Sequence, residues 1–320
     1  MFDQSCSRRT FVGVAGATAA SLGLAACGSS DSDDTEDTGS TEETEDTEEE
    51  STEESDLSGE VTYDGASSFQ ALVEAAAEQF MEENPSVVIT GSGNGSGTGL
   101  TAVSEGTVSI GNSDVFAEEK LEADACETLV DYEVAVVGMG PVVSLNVTVT
   151  DLTLEQLKGI FSGEITNWSE VGGDDATIVV YNRKSGSGTR ATFESVVFGD
   201  EDNTFSGDAE LDKSGDVQTN MGSTDNAISY LDFSHFDDSS FTAINVEGVE
   251  PTDENVTDNS FPIWATEHMY CQEDADDATV AFLEYMLTDD VQGSLVEEQG
   301  FIPISDMTVS KDADGNVTEL

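Results

Sequence analysis

Basic residues are scarce in this 320-residue chain, which has nine Lys and Arg against 68 Asp and Glu and a formal net charge of −59. A chain this acidic repels polyanions, so its composition excludes nucleic acid as a partner and excludes electrostatic adhesion to an anionic membrane. The few cations are unevenly spread, because Arg183, Lys184 and Arg190 lie within eight positions of one another. This concentration of positive charge indicates a site at which something negative binds.

The chain also lacks an apolar run of transmembrane length. Residues 12–26 are apolar but too few to span a bilayer, and their flanks are those of a signal peptide. Arg8 and Arg9 precede this run as in a twin-arginine export signal, and Leu-Ala-Ala-Cys at 24–27 looks like the lipobox of exported lipoproteins. We therefore expect residues 1–27 to be a lipoprotein signal rather than an ordinary N-terminal helix. Lipidated Cys27 would then anchor the exported protein on the outer face of the cytoplasmic membrane, which is its one membrane contact.

Residues 28–57 contain 15 acidic residues and no basic one, and almost no apolar side chain. Such a segment cannot bury enough apolar surface to fold, and its charges repel one another. We expect an acidic, disordered linker between the lipid anchor and a folded part that begins at residue 58.

Cysteine and histidine are rare in that folded part. An exported chain could bridge Cys126 to Cys271, or keep both as buried thiols, and their spacing does not decide between the two. His235 and His268 have no partners at the spacing of a zinc site. We expect no metal and no cofactor.

Strand-like and helical segments alternate from residue 59 onwards, which predicts an α/β fold with a parallel or mixed sheet. Apolar spacing after Phe69 predicts a first helix, with Ser67 and Gln70 as its capping box. The strands that we expect lie at 59–63, 86–90, 108–113, 133–137, 142–147, 176–181, 227–231 and 241–246.

Four loops share one layout, in which a strand leads into a small polar turn and then into a helix. Open α/β sheets bind ligands at such turns, beyond the carboxyl ends of the strands. A tetrahedral dianion would find hydroxyl and amide donors there, helix N-termini, and a planar guanidinium that can make two parallel hydrogen bonds. The loops are residues 67–69, 95–97, 113–114 and 183–189.

At these loops the chain resembles the PstS family, the phosphate-binding proteins of ABC uptake systems. The resemblance runs through most of residues 58–305 and is carried by several motifs in the family's order. They are Ala-Ser-Ser-Phe at 66–69, Gly-Ser-Gly-x-Gly at 95–99, Ser-Asp at 113–114, Gly-Ile-Phe-Ser-Gly-Glu-Ile-Thr-Asn-Trp at 159–168, Arg-x-x-Gly-Ser-Gly-Thr-Arg at 183–190 and Gly-Phe-Ile-Pro-Ile at 300–304.

The resemblance implies a two-lobed, periplasmic-binding-protein-like fold of type II with the ligand in the cleft between the lobes. It implies lobe I at 58–140 plus 262–320, lobe II at 141–261, and a monomer that binds inorganic phosphate and delivers it to ABC transporter permease subunits without catalysis. The implied phosphate contacts are Ser68, the main chain of Phe69, Ser96, Asp114, Arg183, Ser187, Gly188 and Thr189.

Asp114 is informative because a carboxylate in an anion site can only accept hydrogen bonds. It requires an oxyanion that still carries a proton, which phosphate does near neutral pH and sulfate does not. We expect Asp114 to select phosphate over sulfate. Ser185 stands where some members of the family have an acid paired to the arginine, which leaves the orientation of Arg183 open.

Three alternatives remain open. The first is a receptor for another oxyanion; Asp114 argues against molybdate but not against arsenate. The second is an exported phosphatase or phosphoryl-transfer enzyme with Ser187 or Thr189 as its nucleophile. The third is a surface sensor or adhesion protein on the same fold.

Overall fold

The computed structural model describes residues 57–199, 207–236 and 239–320. The signal expected at 1–27, with Cys27, lies outside these ranges, as does the acidic linker up to residue 56. Among the described residues, no helix combines the length and apolar character needed to cross a membrane.

Strands and helices alternate as the sequence predicts. The strands of the described residues are β1 (Gly59–Gly65), β2 (Val87–Ser92), β3 (Ile110–Ser113), β4 (Leu129–Ser144), β5 (Asp151–Leu152), β6 (Val179–Arg183), β7 (Ala209–Leu211), β8 (Ala227–Asp232), β9 (Phe241–Ala243), β10 (Asn245–Val246), β11 (Trp264–Gln272), β12 (Ile302–Pro303), β13 (Val309–Lys311) and β14 (Val317–Glu319). The α-helices are α1 (Gln70–Glu83), α2 (Ser96–Ser104), α3 (Ala123–Cys126), α4 (Leu154–Ser162), α5 (Gly188–Phe198), α6 (Ser214–Met221), α7 (Asp253–Thr257), α8 (Asp277–Tyr285) and α9 (Val296–Glu298).

One mixed sheet organises the chain, with strand order β2-β1-β3-β11-β4-β8-β6-β7, while β9 and β12 also pair with β4. β1 is parallel to β2 and β3, and β6 is parallel to β7 and β8. Between these two parallel groups, β11 runs antiparallel to both β3 and β4, and β4 runs antiparallel to β8. The parallel groups are the ones that deliver the polar loops.

β4 changes its partner part of the way along. It pairs with β11 as far as Gly138 and with β8 from Met139 onwards. We propose that this change marks the boundary between the lobes expected at 58–140 plus 262–320 and at 141–261. The sequence predicted two strands here, at 133–137 and 142–147, because two glycines and a proline interrupt the pattern. All residues from Val134 to Ser144 are buried. Because the pairing passes from β11 to β8 without a gap, the glycines and the proline do not interrupt the strand.

The two cysteines lie in the expected lobe I, Cys126 at the end of α3 and Cys271 on β11. The structure has both as buried thiols, in different apolar clusters. Burial raises the pKa of Cys271 to about 11, so this sulfur carries its proton at neutral pH. Their place in one expected lobe modestly favours a bridge, but the structure has the buried thiols instead.

An aromatic group fixes α5 against the sheet. The ring of Phe193 stacks on that of Tyr230, with centroids 4.2 Å apart and planes at 7°. The ring of Phe161 meets the ring of Phe193 edge-on, with centroids 4.9 Å apart. All three side chains are fully buried. Because α5 begins directly after the basic loop, this packing determines where that loop lies.

We predict that Phe193→Ala lowers the free energy of unfolding by about 3–5 kcal/mol, since it removes a fully buried ring and leaves a cavity. Val88→Ala, at a half-exposed position of the edge strand β2, is the control and should change it by less than about 1 kcal/mol. Urea unfolding followed by circular dichroism measures both. Equal losses in the two variants would show that the aromatic group does not hold α5.

Candidate functional site

The four predicted loops meet at the carboxylate of Asp114, which belongs to one of them and accepts hydrogen bonds from the other three. Its Oδ1 accepts hydrogen bonds from the Ser68 hydroxyl at 2.8 Å and from the Ser96 hydroxyl at 3.4 Å. Its Oδ2 accepts a hydrogen bond from the Thr189 hydroxyl at 3.0 Å. The structure therefore brings together side chains that lie up to 121 positions apart in the sequence.

The predicted site residues are also withdrawn from water. No side chain among them is more than 4% exposed, and the backbone positions at Phe69 and Gly188 are buried as well. A buried polar group is costly unless it is hydrogen-bonded, and a buried charge more so. Each buried donor and acceptor here needs a partner, so the positions of these loops relative to one another are tightly constrained.

Three helix N-termini converge at this point. Ser68 lies two residues before α1, Ser96 is the first residue of α2, and Thr189 is the second residue of α5. The first-turn amides of a helix have no partner within it, and its dipole is positive at that end. Together they form an environment suited to an anion.

Close approach between loops explains the glycine at 188. A Cβ atom there would lie 2.3 Å from the Ser96 Oγ and 2.9 Å from the Asp114 Cγ. The two loops also touch through the backbone, where the Gly97 amide donates to the Gly186 carbonyl at 3.2 Å. Only glycine lets α5 approach Asp114 so closely.

The side chain of Arg183, at the end of β6, lies beside this group and is 1% exposed. Its Nη1 donates to the Ser214 hydroxyl at 3.2 Å, and its Nη2 donates to the Ser67 hydroxyl at 3.3 Å and to the Asp212 carbonyl at 3.1 Å. Its Nε is buried and has no hydrogen-bond partner among the described residues. One donor of a buried guanidinium thus remains available to an acceptor.

Sequence reasoning missed the groups that orient Arg183. The exposed side chain of Ser185 is not among them, and the guanidinium is held instead by the Ser214 hydroxyl and the Asp212 carbonyl. Ser214 in turn donates to Asp232 at 3.4 Å. Ser214 follows β7 closely and Asp232 is the last residue of β8, so both lie at the carboxyl ends of strands, which is the signal that could have found them.

Asp232 is fully buried and is paired with His235, whose Nδ1 lies 2.6 Å from its Oδ1. Burial is the largest single influence and would raise the pKa of Asp232, but the charge and hydrogen bond of His235, together with hydrogen bonds from Ser234 and the backbone, hold it below its ordinary value. His235, for which the sequence indicates no zinc-site partner, therefore supports the carboxylate behind Arg183.

The other two cations of the basic loop have different surroundings. Lys184 pairs with Asp212 at the surface, where both side chains are more than half exposed. The guanidinium of Arg190 is largely buried; it pairs with Glu194 and Glu210 and donates to the Arg183 carbonyl at 2.7 Å. Lys184 is therefore a surface counter-ion, whereas Arg190 holds the backbone of the anion loop.

Asp114 itself has a raised pKa, chiefly because it is buried, with a further contribution from the charge of Asp232. The hydrogen bonds from Ser68 and Thr189 oppose this rise, as does the charge of Arg183. Burial and Asp232 outweigh the opposing groups, so the Asp114 carboxylate has a higher affinity for a proton than an exposed aspartate has.

Comparisons with known proteins agree with this geometry. The family model of a PBP superfamily domain matches residues 44–290. The phosphate-binding protein PstS of Bacillus subtilis (strain 168) is 47% identical over 262 residues, which are 82% of this chain and 86% of that protein.

Solved structures give the same result. A Clostridium perfringens protein, described as a phosphate ABC transporter substrate-binding protein with bound phosphate, has a TM-score of 0.71 at 33% identity, over 77% of this chain and 100% of that one. An ABC-type phosphate transport receptor from Vibrio cholerae has a TM-score of 0.63 at 26% identity, over 76% and 99%. The predicted two-lobed α/β fold is confirmed. The chain belongs to the PstS family of the PBP superfamily.

Proposed function

We propose that this chain is an extracytoplasmic solute-binding protein that captures inorganic phosphate and delivers it to an ABC transporter permease. Its relatives named above are phosphate-binding proteins and transport receptors. The proposed contacts are those that the sequence indicated, namely Ser68, Phe69 through its main chain, Ser96, Asp114, Arg183, Ser187, Gly188 and Thr189.

The observation that carries this proposal is the buried Arg183 guanidinium, whose Nε has no partner among the described residues, next to three converging helix N-termini. A buried cation with an unsatisfied N–H favours an anionic acceptor. Each charge-assisted hydrogen bond contributes about 1.5–3 kcal/mol, so several can offset the lost hydration of a small anion.

Binding would exchange the partners of the hydroxyl groups. A hydroxyl has a single hydrogen, and those of Ser68, Ser96 and Thr189 donate to Asp114. A phosphate ion that carries a proton can donate it to Asp114 and so release these hydroxyls to donate to its own oxygens. Sulfate has no proton to donate, so it would leave Asp114 as a like charge without a donor. Arsenate has the same protonation chemistry as phosphate and remains a candidate ligand.

We also propose that residues 1–27 export the protein and that lipidated Cys27 anchors it outside the cytoplasmic membrane, with residues 28–57 as a spacer. The lipobox sequence and the paired arginines support this arrangement. We propose that the protein acts as a monomer, since all the proposed phosphate contacts lie in a single chain.

We predict that Arg183→Lys weakens phosphate binding by about 10- to 100-fold, because a lysine ammonium cannot replace the planar guanidinium and its Nε donor. Lys184→Met, which removes a neighbouring surface charge, is the control and should stay within about twofold. Isothermal titration of the full-length protein with phosphate, arsenate, molybdate and sulfate measures this. A wild type that binds none of these ions, or that turns over a phosphate ester, would contradict the proposed function.

We predict that Asp114→Asn lowers the preference for phosphate over sulfate by at least about tenfold, because an amide can donate a hydrogen bond to an unprotonated oxyanion. Asp225→Asn, at an exposed position, removes the same charge at a distance from the site. Competition calorimetry with the two ions gives the ratio of affinities. An unchanged ratio in Asp114→Asn would show that the carboxylate does not select the ligand.

We predict that Cys27→Ser moves the protein from the membrane fraction to the medium or the soluble exported fraction, because a serine cannot form the thioether to lipid. Cys6→Ser, which precedes the paired arginines, is the control and should remain in the membrane fraction. Fractionation of expressing cells with immunoblotting decides the matter. If Cys27→Ser stayed membrane-bound, another segment would be the anchor.

A further inference from the structure

A third buried acid lies behind the anion site, in addition to Asp114 and Asp232. Glu267, in the middle of β11, has no exposed surface, and neither of its carboxyl oxygens accepts a hydrogen bond from the described residues. An ionised carboxylate in such a position would be very costly, because it would lose its hydration and gain nothing in return. The sequence gives Glu267 no role, since it lies in a segment without a recognisable strand pattern.

The strand register places Glu267 next to Asp114. β3 and β11 are antiparallel with Ser113 opposite His268, so the residue after Ser113 and the residue before His268 are the next neighbours. The pairing of β11 with β4 shifts its register between Glu267 and His268. Irregularities of this kind often re-aim a side chain beside a binding site.

The two charged groups that act on Glu267 are both acidic, and they come from the ends of two different strands. Burial is the main reason that the pKa of Glu267 lies well above its ordinary value, followed by the charges of Asp114, directly after β3, and of Asp232 at the end of β8, and by a side-chain hydrogen bond with Asp114. The cations of the region act elsewhere, because Arg183 acts on Asp114 and His235 on Asp232.

The neighbouring His268 belongs to a separate group of charges. Its Nδ1 lies 2.9 Å from the Asp131 carboxylate, and Asp131, Glu133 and Glu119 raise its pKa against the effect of burial. None of these groups is among the causes that shift Glu267.

We propose that Glu267 is an affinity-determining residue of the phosphate site, a neutral carboxylic acid that supplies an O–H donor beside Asp114 and limits the negative charge facing the ligand. This inference rests on the function proposed above and deepens it. With Glu267 neutral, a bound anion faces one nearby carboxylate on this side of the pocket, and Asp114 alone receives the ligand's proton. With Glu267 ionised, the ligand would face two.

If Glu267 has this role, phosphate affinity must change with pH in a defined direction. A bound anion disfavours ionisation of Glu267, so its pKa is higher in the complex than in the free protein. Affinity is therefore full below the free-state pKa and falls as the pH rises above it, by up to about tenfold per pH unit. A glutamine keeps an N–H donor and cannot ionise, so it should remove this fall.

The test compares Glu267→Gln with the wild type in phosphate titrations of the full-length protein from about pH 6 to about pH 10. We expect affinities within about threefold near neutrality and a ratio that increasingly favours the variant as the pH rises. Because the ratio is taken at each pH, the titration of phosphate itself cancels. Glu133→Gln, on β4 opposite His268, is the matched control and should follow the wild type.

Two results would overturn the inference, namely a ratio that does not change with pH, or a variant that binds more than about tenfold tighter at neutral pH, which would show that Glu267 is ionised. A wild type that binds no phosphate at any pH would instead remove the proposed function. If Glu267→Gln did not fold, carboxyl ¹³C resonances of the wild type would still decide. One glutamate should keep the chemical shift of the protonated acid through neutral pH, and a full set of ordinary titrations would contradict the proposal.

Discussion

The structure of the site depends on the cost of burying the Asp114 carboxylate. A carboxylate without water needs donors, and it obtains them from three hydroxyls that reach it from the first turns, or the approaches, of three different helices. These donors can meet only if Gly188 lets α5 come within contact distance of Ser96. The requirement to satisfy one charge therefore determines how closely the loops pack, and the same donors are then in place for an anion.

The sheet makes this meeting possible. β1, β3 and β6 end at the loops that carry Ser68, Asp114 and Arg183, although β6 belongs to a different parallel group from the other two. The antiparallel strands β4 and β11 lie between the groups, and β4 is long enough to pair with both. A ligand held by the proposed contacts would touch both groups, and a movement of one group relative to the other would then signal occupancy.

The sequence predicted the loops because glycines, serines and cations in this order, directly after strands, are typical of anion-binding turns. It failed where a local pattern had two readings. Ser67 and Gln70 fit a capping box, but α1 begins at Gln70 with Phe69 at its N-cap and without a side-chain cap. Ser67 is instead a hydrogen-bond acceptor for Arg183. Only the tertiary position of Arg183 distinguishes these roles.

β11 shows the same limit more clearly. Its sequence places Glu267 and His268 side by side in the middle of nine residues, which no amphipathic strand pattern predicts. Both are buried because β11 is a central strand, with β3 on one side and β4 on the other. A sequence window cannot see the two neighbouring strands, so it also cannot see that Glu267 lies beside Asp114.

A chain with a net charge of −59 that binds an anion seems contradictory only if the total charge is taken to act at the site. The Debye length is about 8–10 Å at 0.1–0.15 M salt, so exposed acids farther away than this are largely screened. Charges inside the pocket are screened far less, because little water separates them. The balance at the ligand is therefore decided by Arg183, the helix N-termini and the three buried acids Asp114, Asp232 and Glu267. Asp232 is compensated by His235, and a neutral Glu267 adds no charge, so Arg183 and the amides need to balance only Asp114 and the ligand.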